Sequence, residues 1–178
     1  INSVIRRGIN EQDIDRLIEQ FEHLPVSLRF IEFMDVGNHN RWRYNNVVPS
    51  SEIHNYLKKR MNLIPIDSTH RGEVAKRWMI EGKKGFEIGF ISSVSQPFCG
   101  DCTRARISAE GRIFTCLFAS KGTDLKSIIR DEENKNTIQD VISEIWKSRE
   151  DRYSELRSKT PKPGTIVLPK IEMSYIGG

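Results

Sequence analysis

All three cysteines of this 178-residue chain fall within one stretch, PFCGDCTRARISAEGRIFTCLF at residues 97–118, as Cys99, Cys102 and Cys116. The spacing C-x2-C-x13-C is that of a metal-binding sequence. A closed structural zinc site takes four ligands, and the nearest histidine, His70, lies well upstream in a different stretch. No fourth zinc ligand is therefore written locally. Three thiolates suit an iron–sulfur cubane, which with three protein ligands leaves one iron open to an outside donor. Arg104 and Arg106 follow at once, and a guanidinium fork matches anionic oxygens in pairs. Two plainer readings stay open. Cysteines are often inert buried hydrophobes, and alternating arginines are often the solvated face of a strand.

The elements that must position these groups follow from the same stretch. TRARIS and RIFTCLF flank Ala109-Glu110-Gly111, which suits a three-residue hairpin loop closed by a left-handed glycine. That loop sets Ser108 opposite Arg112, Arg106 opposite Phe114 and Arg104 opposite Cys116. Because strand side chains alternate, Cys102, Arg104, Arg106 and Cys116 then share one side, with Cys99 beyond a tight Gly100-Asp101 turn. A two-residue loop would turn Cys116 to the other face.

Upstream, the chain alternates between two periods. INSVIRRGIN reads as a strand already in progress that ends in a turn at Gly8, as in a piece of a longer protein. In NEQDIDRLIEQFE, Ile14, Leu17, Ile18 and Phe21 repeat at the spacing of one helical face, with Asn10 as N-cap. SLRFIEFM (27–34) reads as a buried strand, and SSEIHNYLKKRM (50–61) as a second helix with Ile53, Leu57 and Met61 inward. Strand, helix, strand, helix is the order of βα units on a parallel sheet. After Leu63 the period is lost until GFEIGFIS (85–92), so a boundary is expected there, giving 1–63 and 64–178. TDLKSIIR and NTIQDVISEIWKSR read as helices, the second with Ile138, Val141, Ile142 and Ile145 on one face and Thr137 or Asn136 at its cap. From DRYSELRSK onward charge dominates, and TPKPGTIVLPKIEMSYIGG reads as an extended tail. The basic run HRGEVAKRW reads as a surface, with Lys76 or Arg77 available to phosphate. His23, His39, His54 and His70 read as solvated, and Glu32 and Asp35 as satisfied acids without chemistry.

Composition narrows the classes. With 37% hydrophobic residues the chain is long enough for a core, and its apolar runs fall far short of the ~20 residues of a membrane span. No membrane association is expected, and a cytoplasmic setting is. The 28 Lys and Arg against 24 Asp and Glu give a net charge of +4 and a pI near 9.0. That excess favours anionic ligands. Nucleic acid is not expected, because aromatics are not interleaved with the basic residues. An odd cysteine count in one cluster argues for metal or thiol chemistry in a reducing compartment.

The stretches LRFIEFMDVG and FISSVSQPFCGDCTRARISAEGRIFTCLF and the terminal SYIGG resemble the C-terminal half of the radical S-adenosylmethionine GTP 3′,8-cyclase family, which opens molybdenum cofactor synthesis. The resemblance runs along the whole chain. The family often has Asn where this chain has Thr103, and the family's C-x3-C-x2-C motif, which belongs to its N-terminal half, is absent here. The resemblance implies an α/β fold: an incomplete βα barrel of the radical SAM type, 1–63, then a small α+β region, 64–178. It implies that Cys99, Cys102 and Cys116 hold an auxiliary 4Fe–4S cluster whose open iron takes the guanine of GTP. Arg104, Ala105 and Arg106 would be GTP contacts, Arg29 a basic residue needed for activity and Met34 an S-adenosylmethionine contact. Gly177 and Gly178 would reach the active site and support radical formation, the tail staying mobile until the N-terminal half is present. That missing half, with a second 4Fe–4S cluster and S-adenosylmethionine, is the implied partner. Alone, the chain would be inactive, and an exposed barrel edge would favour a homodimer. The alternative is a zinc or iron–sulfur module without catalysis.

Overall fold

The structure, a computed structural model, describes residues 1–131, 137–159 and 170–176. These divide into two compact units: 1–34 with 42–102 and 154–159, and 35–41 with 103–131, 137–153 and 170–176. In the first unit, β1 (Asn2–Ile5) leads through a turn at Gly8, φ +75°, to α1 (Ile14–Phe21). Asn10 does not cap a helix. Its side chain accepts the Arg6 N–H at 2.8 Å and donates to the Val4 carbonyl at 3.0 Å, so it ties off the end of β1. The amides of Gly8 and Ile9 are taken by the Glu11 carboxylate at 2.6 and 3.1 Å.

The strand β2 (Ser27–Glu32) and helix α2 (Ser50–Lys58) follow as the periods require. Beyond them lie β3 (Leu63–Ile66), β4 (Lys76–Ile80) and β5 (Glu87–Ile91). The sheet order is β1-β2-β5-β4-β3. β1, β2 and β5 run parallel, and β4 and β3 continue antiparallel. The α/β class expected from the alternation is the one observed. The stretch after Leu63 is not irregular, however, but a β-hairpin. Pro65 masked it, and Pro is tolerated because β3 is an edge strand where a missing N–H breaks no inner ladder.

One face of the sheet carries the core. Ile14 and Ile18 of α1 and Ile53 and Leu57 of α2 pack on Leu28, Phe30, Ile88 and Phe90, all nearly excluded from solvent. His54 joins this face, contrary to the solvated role its polar neighbours suggest. Its ring lies 4.9 Å from Trp78 and 5.8 Å, edge-on, from Phe90.

The second unit is built on a smaller antiparallel sheet, β6 (Arg106–Ile107), β7 (Arg112–Phe114) and β8 (Thr123–Asp124), followed by α3 (Leu125–Arg130). The helix α4 (Ile138–Lys147) opens on Thr137 in a full capping box with Asp140; Asn136, the alternative cap, lies outside the described residues. The apolar stripe of α4 is real but uncovered, for none of its residues is buried. The charged stretch where no helix is expected holds a further one, α5 (Tyr153–Lys159), which after Tyr153 belongs to the first unit. Residues 173–176 form a 3-10 turn rather than an extended tail, with Ile176 only 1% exposed.

Among the described residues, no helix is long and apolar enough to cross a membrane.

Candidate functional site

The cysteine stretch departs from ideal strand geometry at both ends. Cys99 opens a 3-10 turn, Cys99–Asp101, and the Cys102 N–H closes it on the Cys99 carbonyl at 3.3 Å. Glu155 of α5 steadies this turn by accepting the Gly100 N–H at 3.2 Å. Arg71 stands 3.8 Å from Asp101, with both side chains largely exposed. Both cysteines are half-buried, and none of the three is in a disulfide.

In the second unit the hairpin takes the expected register. Arg106 pairs with Phe114 and Ile107 with Ile113, the Ser108 N–H meets the Arg112 carbonyl at 2.9 Å, and Gly111 closes the loop at φ +82°. The ladder ends there, short of the Arg104 and Cys116 pair that would continue it. Cys116 lies instead in a bend after β7, half-buried, where its Sγ accepts the Phe118 N–H at 3.4 Å. Arg104 and Ala105 are exposed, and Arg106 is half-buried in β6.

By residue type alone, three free thiols are ligands that an iron–sulfur centre would take. Three soft sulfurs are held out of disulfides, and one already receives a backbone amide, the kind of hydrogen bond that tunes a cluster thiolate. Among the described residues, no three His, Cys, Asp or Glu side chains stand grouped as a metal-ligating set.

The strand β2 brings the other candidates into the first unit. Arg29 and Met34 are both half-buried, Arg29 within β2 and Met34 just past its end. Register places Asn2, Arg29, Gly89 and Arg77 in one row across β1, β2, β5 and β4, on the face away from α1 and α2. A Cβ on Gly89 would come within 3.0 Å of the Arg29 Cγ, so the missing side chain is the room through which Arg29 passes. Arg77 in the same row is ion-paired. It contacts Glu73 at 2.8 Å, Glu87 at 3.2 Å and the Asp67 carbonyl at 3.1 Å, with its side chain 13% exposed. It is therefore neither a surface cation nor available to phosphate, and Lys76 is committed to Gln96 at 2.9 Å.

The Nε atoms of Arg29 and Arg77 are both buried without a well-aligned hydrogen-bond partner among the described residues, although the Arg77 Nε has the Glu73 carboxylate 2.8 Å away. The Arg6 Nε, whose guanidinium lies 4.9 Å over the Phe33 ring, and the Ser93 Oγ also lack such a partner. A buried donor without an acceptor costs about 1–3 kcal/mol.

The two acids expected to be satisfied are so. The Glu32 carboxylate, 1% exposed, accepts from the amides of Ser50, Val94 and Ser95 at 2.7, 2.8 and 2.7 Å and from the Ser95 hydroxyl at 2.5 Å. It ties the start of α2 and the loop after β5 to the end of β2. Asp35 accepts from the Tyr153 hydroxyl at 2.6 Å and from the Lys170 Nζ at 2.7 Å. Lys170 was invisible from the sequence, where a lone lysine in a proline-rich tail reads as solvated. Gly177 and Gly178 lie outside the described residues.

Comparison with known proteins adds family evidence. The family described as Molybdenum Cofactor Synthesis C matches residues 26–155. A protein of Xanthomonas axonopodis pv. citri named GTP 3′,8-cyclase is 46% identical over 178 residues, all of this chain and 51% of the relative. Proteins of the same name from Acidothermus cellulolyticus and Xanthomonas campestris are 42% and 44% identical over the whole chain, covering 55% and 50% of their own lengths. The chain spans about half the length of the curated relatives it matches.

Proposed function

This chain belongs to the Molybdenum Cofactor Synthesis C family, and we propose that it is the C-terminal half of a radical S-adenosylmethionine GTP 3′,8-cyclase, the half that binds GTP and an auxiliary 4Fe–4S cluster. The observation that carries this is an identity of 40–46% along the whole chain to proteins of that name about twice as long. The Arg29 Nε, buried without a hydrogen-bond partner among the described residues, supports it, because a donor short of an acceptor suits an anionic substrate.

On this proposal residues 1–63 contribute units of an incomplete βα barrel, and 64–178 form the cluster- and nucleotide-binding region. Cys99, Cys102 and Cys116 are the residues that would hold the auxiliary cluster. Such a cluster, when bound, supplies an open iron able to take a nitrogen or oxygen of the purine base. Cleavage of S-adenosylmethionine falls to the rest of the longer protein, with its own cluster.

The chain's own residues bind and orient. Arg104 and Arg106 neutralise the triphosphate, with the Ala105 backbone between them as a further polar contact. Arg29 offers an additional donor from the sheet, and Met34 gives S-adenosylmethionine an apolar, polarisable surface. Gly177 and Gly178, lacking Cβ atoms, enter a crowded site that other residues would block.

The test uses the full-length protein, reconstituted without oxygen. Arg104→Ala and Arg106→Ala should each weaken GTP binding by about 1.5–3 kcal/mol, the worth of a charged hydrogen bond, with iron content unchanged. Isothermal titration measures the first and iron analysis the second. Unchanged affinity in both variants would remove the phosphate role, and one zinc in place of about four irons would favour a structural module.

A further inference from the structure

We propose that Lys170, Glu172 and Asn38 form a latch that positions the C-terminal segment on the loop following Met34, making them positioning residues for the terminal glycines. This rests on the role proposed above for Gly177 and Gly178.

The latch has three parts, all within the second unit. At its base, the Lys170 Nζ lies 2.7 Å from the Asp35 Oδ2 and 2.5 Å from the Asp35 carbonyl oxygen. Both side chains are about nine-tenths buried. The ammonium stands 4.8 Å over the ring of Tyr153 and 5.6 Å over that of Phe118, and these rings stack on each other at 4.6 Å. The Tyr153 hydroxyl donates to the same Asp35 oxygen at 2.6 Å. A lysine desolvated against two ring faces and one carboxylate has no equally good alternative nearby.

The middle of the latch is backbone mimicry. The Asn38 side-chain amide donates to the Lys170 carbonyl at 2.6 Å and its oxygen accepts the Lys170 N–H at 3.2 Å. A single side chain thus pairs with both backbone groups of one residue, as a neighbouring strand would. Next, the Glu172 Oε1 takes the Asn38 N–H at 2.8 Å, the Asn38 side-chain amide at 3.2 Å and the His39 Nδ1 at 2.9 Å. The Asn38 amide, then His39, hold the Glu172 carboxylate below the usual range. Gly37, at φ +63°, makes this approach possible, because the Glu172 carboxylate occupies the space where a Cβ would project.

The far end is packed as well as bonded. Ile176 is 1% exposed. The Tyr175 ring meets Phe114 edge-on at 6.3 Å and its hydroxyl donates to Glu110, whose carboxylate holds that phenol above its ordinary range. With Ile176 fixed, the two residues after it extend at most about 7 Å. Such a short reach makes the anchor point decisive, and the anchor loop begins one peptide bond after Met34. A polar tail on a protein surface does not ordinarily bury its lysine, fill a glycine notch and seat an isoleucine together.

The experiment is hydrogen exchange of residues 170–176 in the full-length protein, alongside 5′-deoxyadenosine formation and GTP affinity. Lys170→Met, and separately Glu172→Gln, should raise exchange of these amides roughly tenfold or more as a local opening, with exchange in the large sheet unchanged. Turnover should fall while the GTP Kd stays within about twofold, a loss confined to kcat, and Lys170→Arg should restore both. Asn38→Ala, an exposed position, gives the same test where the buried change impairs folding. Unchanged exchange in Lys170→Met and Asn38→Ala would overturn the latch. Looser amides with undiminished turnover would overturn positioning. If removal of Gly177 and Gly178 also leaves turnover intact, it is the proposed role of the glycines that has failed, and the latch is then only structural.

Discussion

Arg29 and Glu32 stand on the same strand, three positions apart, and so point to opposite faces of the sheet. On the helix-covered face, Glu32 is a charge almost wholly removed from water that nonetheless receives four hydrogen bonds. On the other face, the Arg29 Nε is buried without a hydrogen-bond partner among the described residues, as are the Nε atoms of Arg6 and Arg77 and the Ser93 Oγ. A polar group on the first face is there for the fold: it is saturated by the chain, and removing it would damage the chain. On the second face, Arg77 is ion-paired with Glu73 and Glu87 although its Nε is poorly aligned, and on the function proposed above the Arg29 donor is left for a ligand. On that proposal the sheet separates architecture from binding by face, which is more than residue type reveals.

Three changes test that division. The largest effect should come from Glu32→Gln, which keeps the shape but sets an amide N–H against donors that need an acceptor. A loss of about 3–5 kcal/mol is expected, as for breaking a buried charged network. Urea denaturation measures it, and a loss below about 1 kcal/mol would mean that Glu32 is not the clamp. Arg29→Ala should do the reverse. Stability should change by less than about 1 kcal/mol, whereas GTP affinity of the reconstituted full-length protein should fall by about 1.5–3 kcal/mol. A destabilised protein with normal affinity would erase the difference between the faces. The smallest effect concerns Glu73, whose carboxylate is held low first by the Thr69 N–H at 2.8 Å and also by Arg77. A depressed folded pKa gives stability that is fully present above the unfolded value of about 4.3 and is lost as pH falls through the folded one. Thermal unfolding followed from about pH 6 to about pH 3 should therefore decline less steeply in Glu73→Gln. An identical slope would show that the Arg77 pairing contributes nothing.

The parts of this fold that were legible are those whose information is local. The helices α1 and α2 announce themselves because Ile14, Ile18, Ile53 and Leu57 recur at the helical period and all reach one core. The hairpin at 106–114 was legible because only a glycine readily closes its loop. The hairpin of β3 and β4 was not, since Pro65 and the charged Lys76 and Arg77 hide the alternation, and the partners that settle Arg77 come from elsewhere in the sheet and its preceding loop. The helix α5 was lost in its own charge, although Arg157 donates to the Ser93 carbonyl at 2.9 Å and Glu155 accepts an amide N–H of the cysteine turn. For the candidate site, the cysteine spacing and the two arginines could be read directly. The available donor of Arg29 could not, because it depends on what Gly89 and Arg77 do in neighbouring strands.

The latch also sets a schedule. Asp35 and Lys170 are separated by 135 positions, and Asn38 and Glu172 by 134. At ribosomal speeds of about 5–20 residues per second, the loop after β2 waits roughly 7–27 s for its partner to be synthesised. During that interval Asp35 lacks Lys170, and the Phe118 and Tyr153 rings, once they are made, lack its ammonium. The second unit, which includes both ends of the latch, thus closes only after Lys170 and Glu172 have been made, and a nascent chain cut short before Lys170 would leave an acid and two aromatic faces without that ammonium, open to the proteases that survey unfinished proteins.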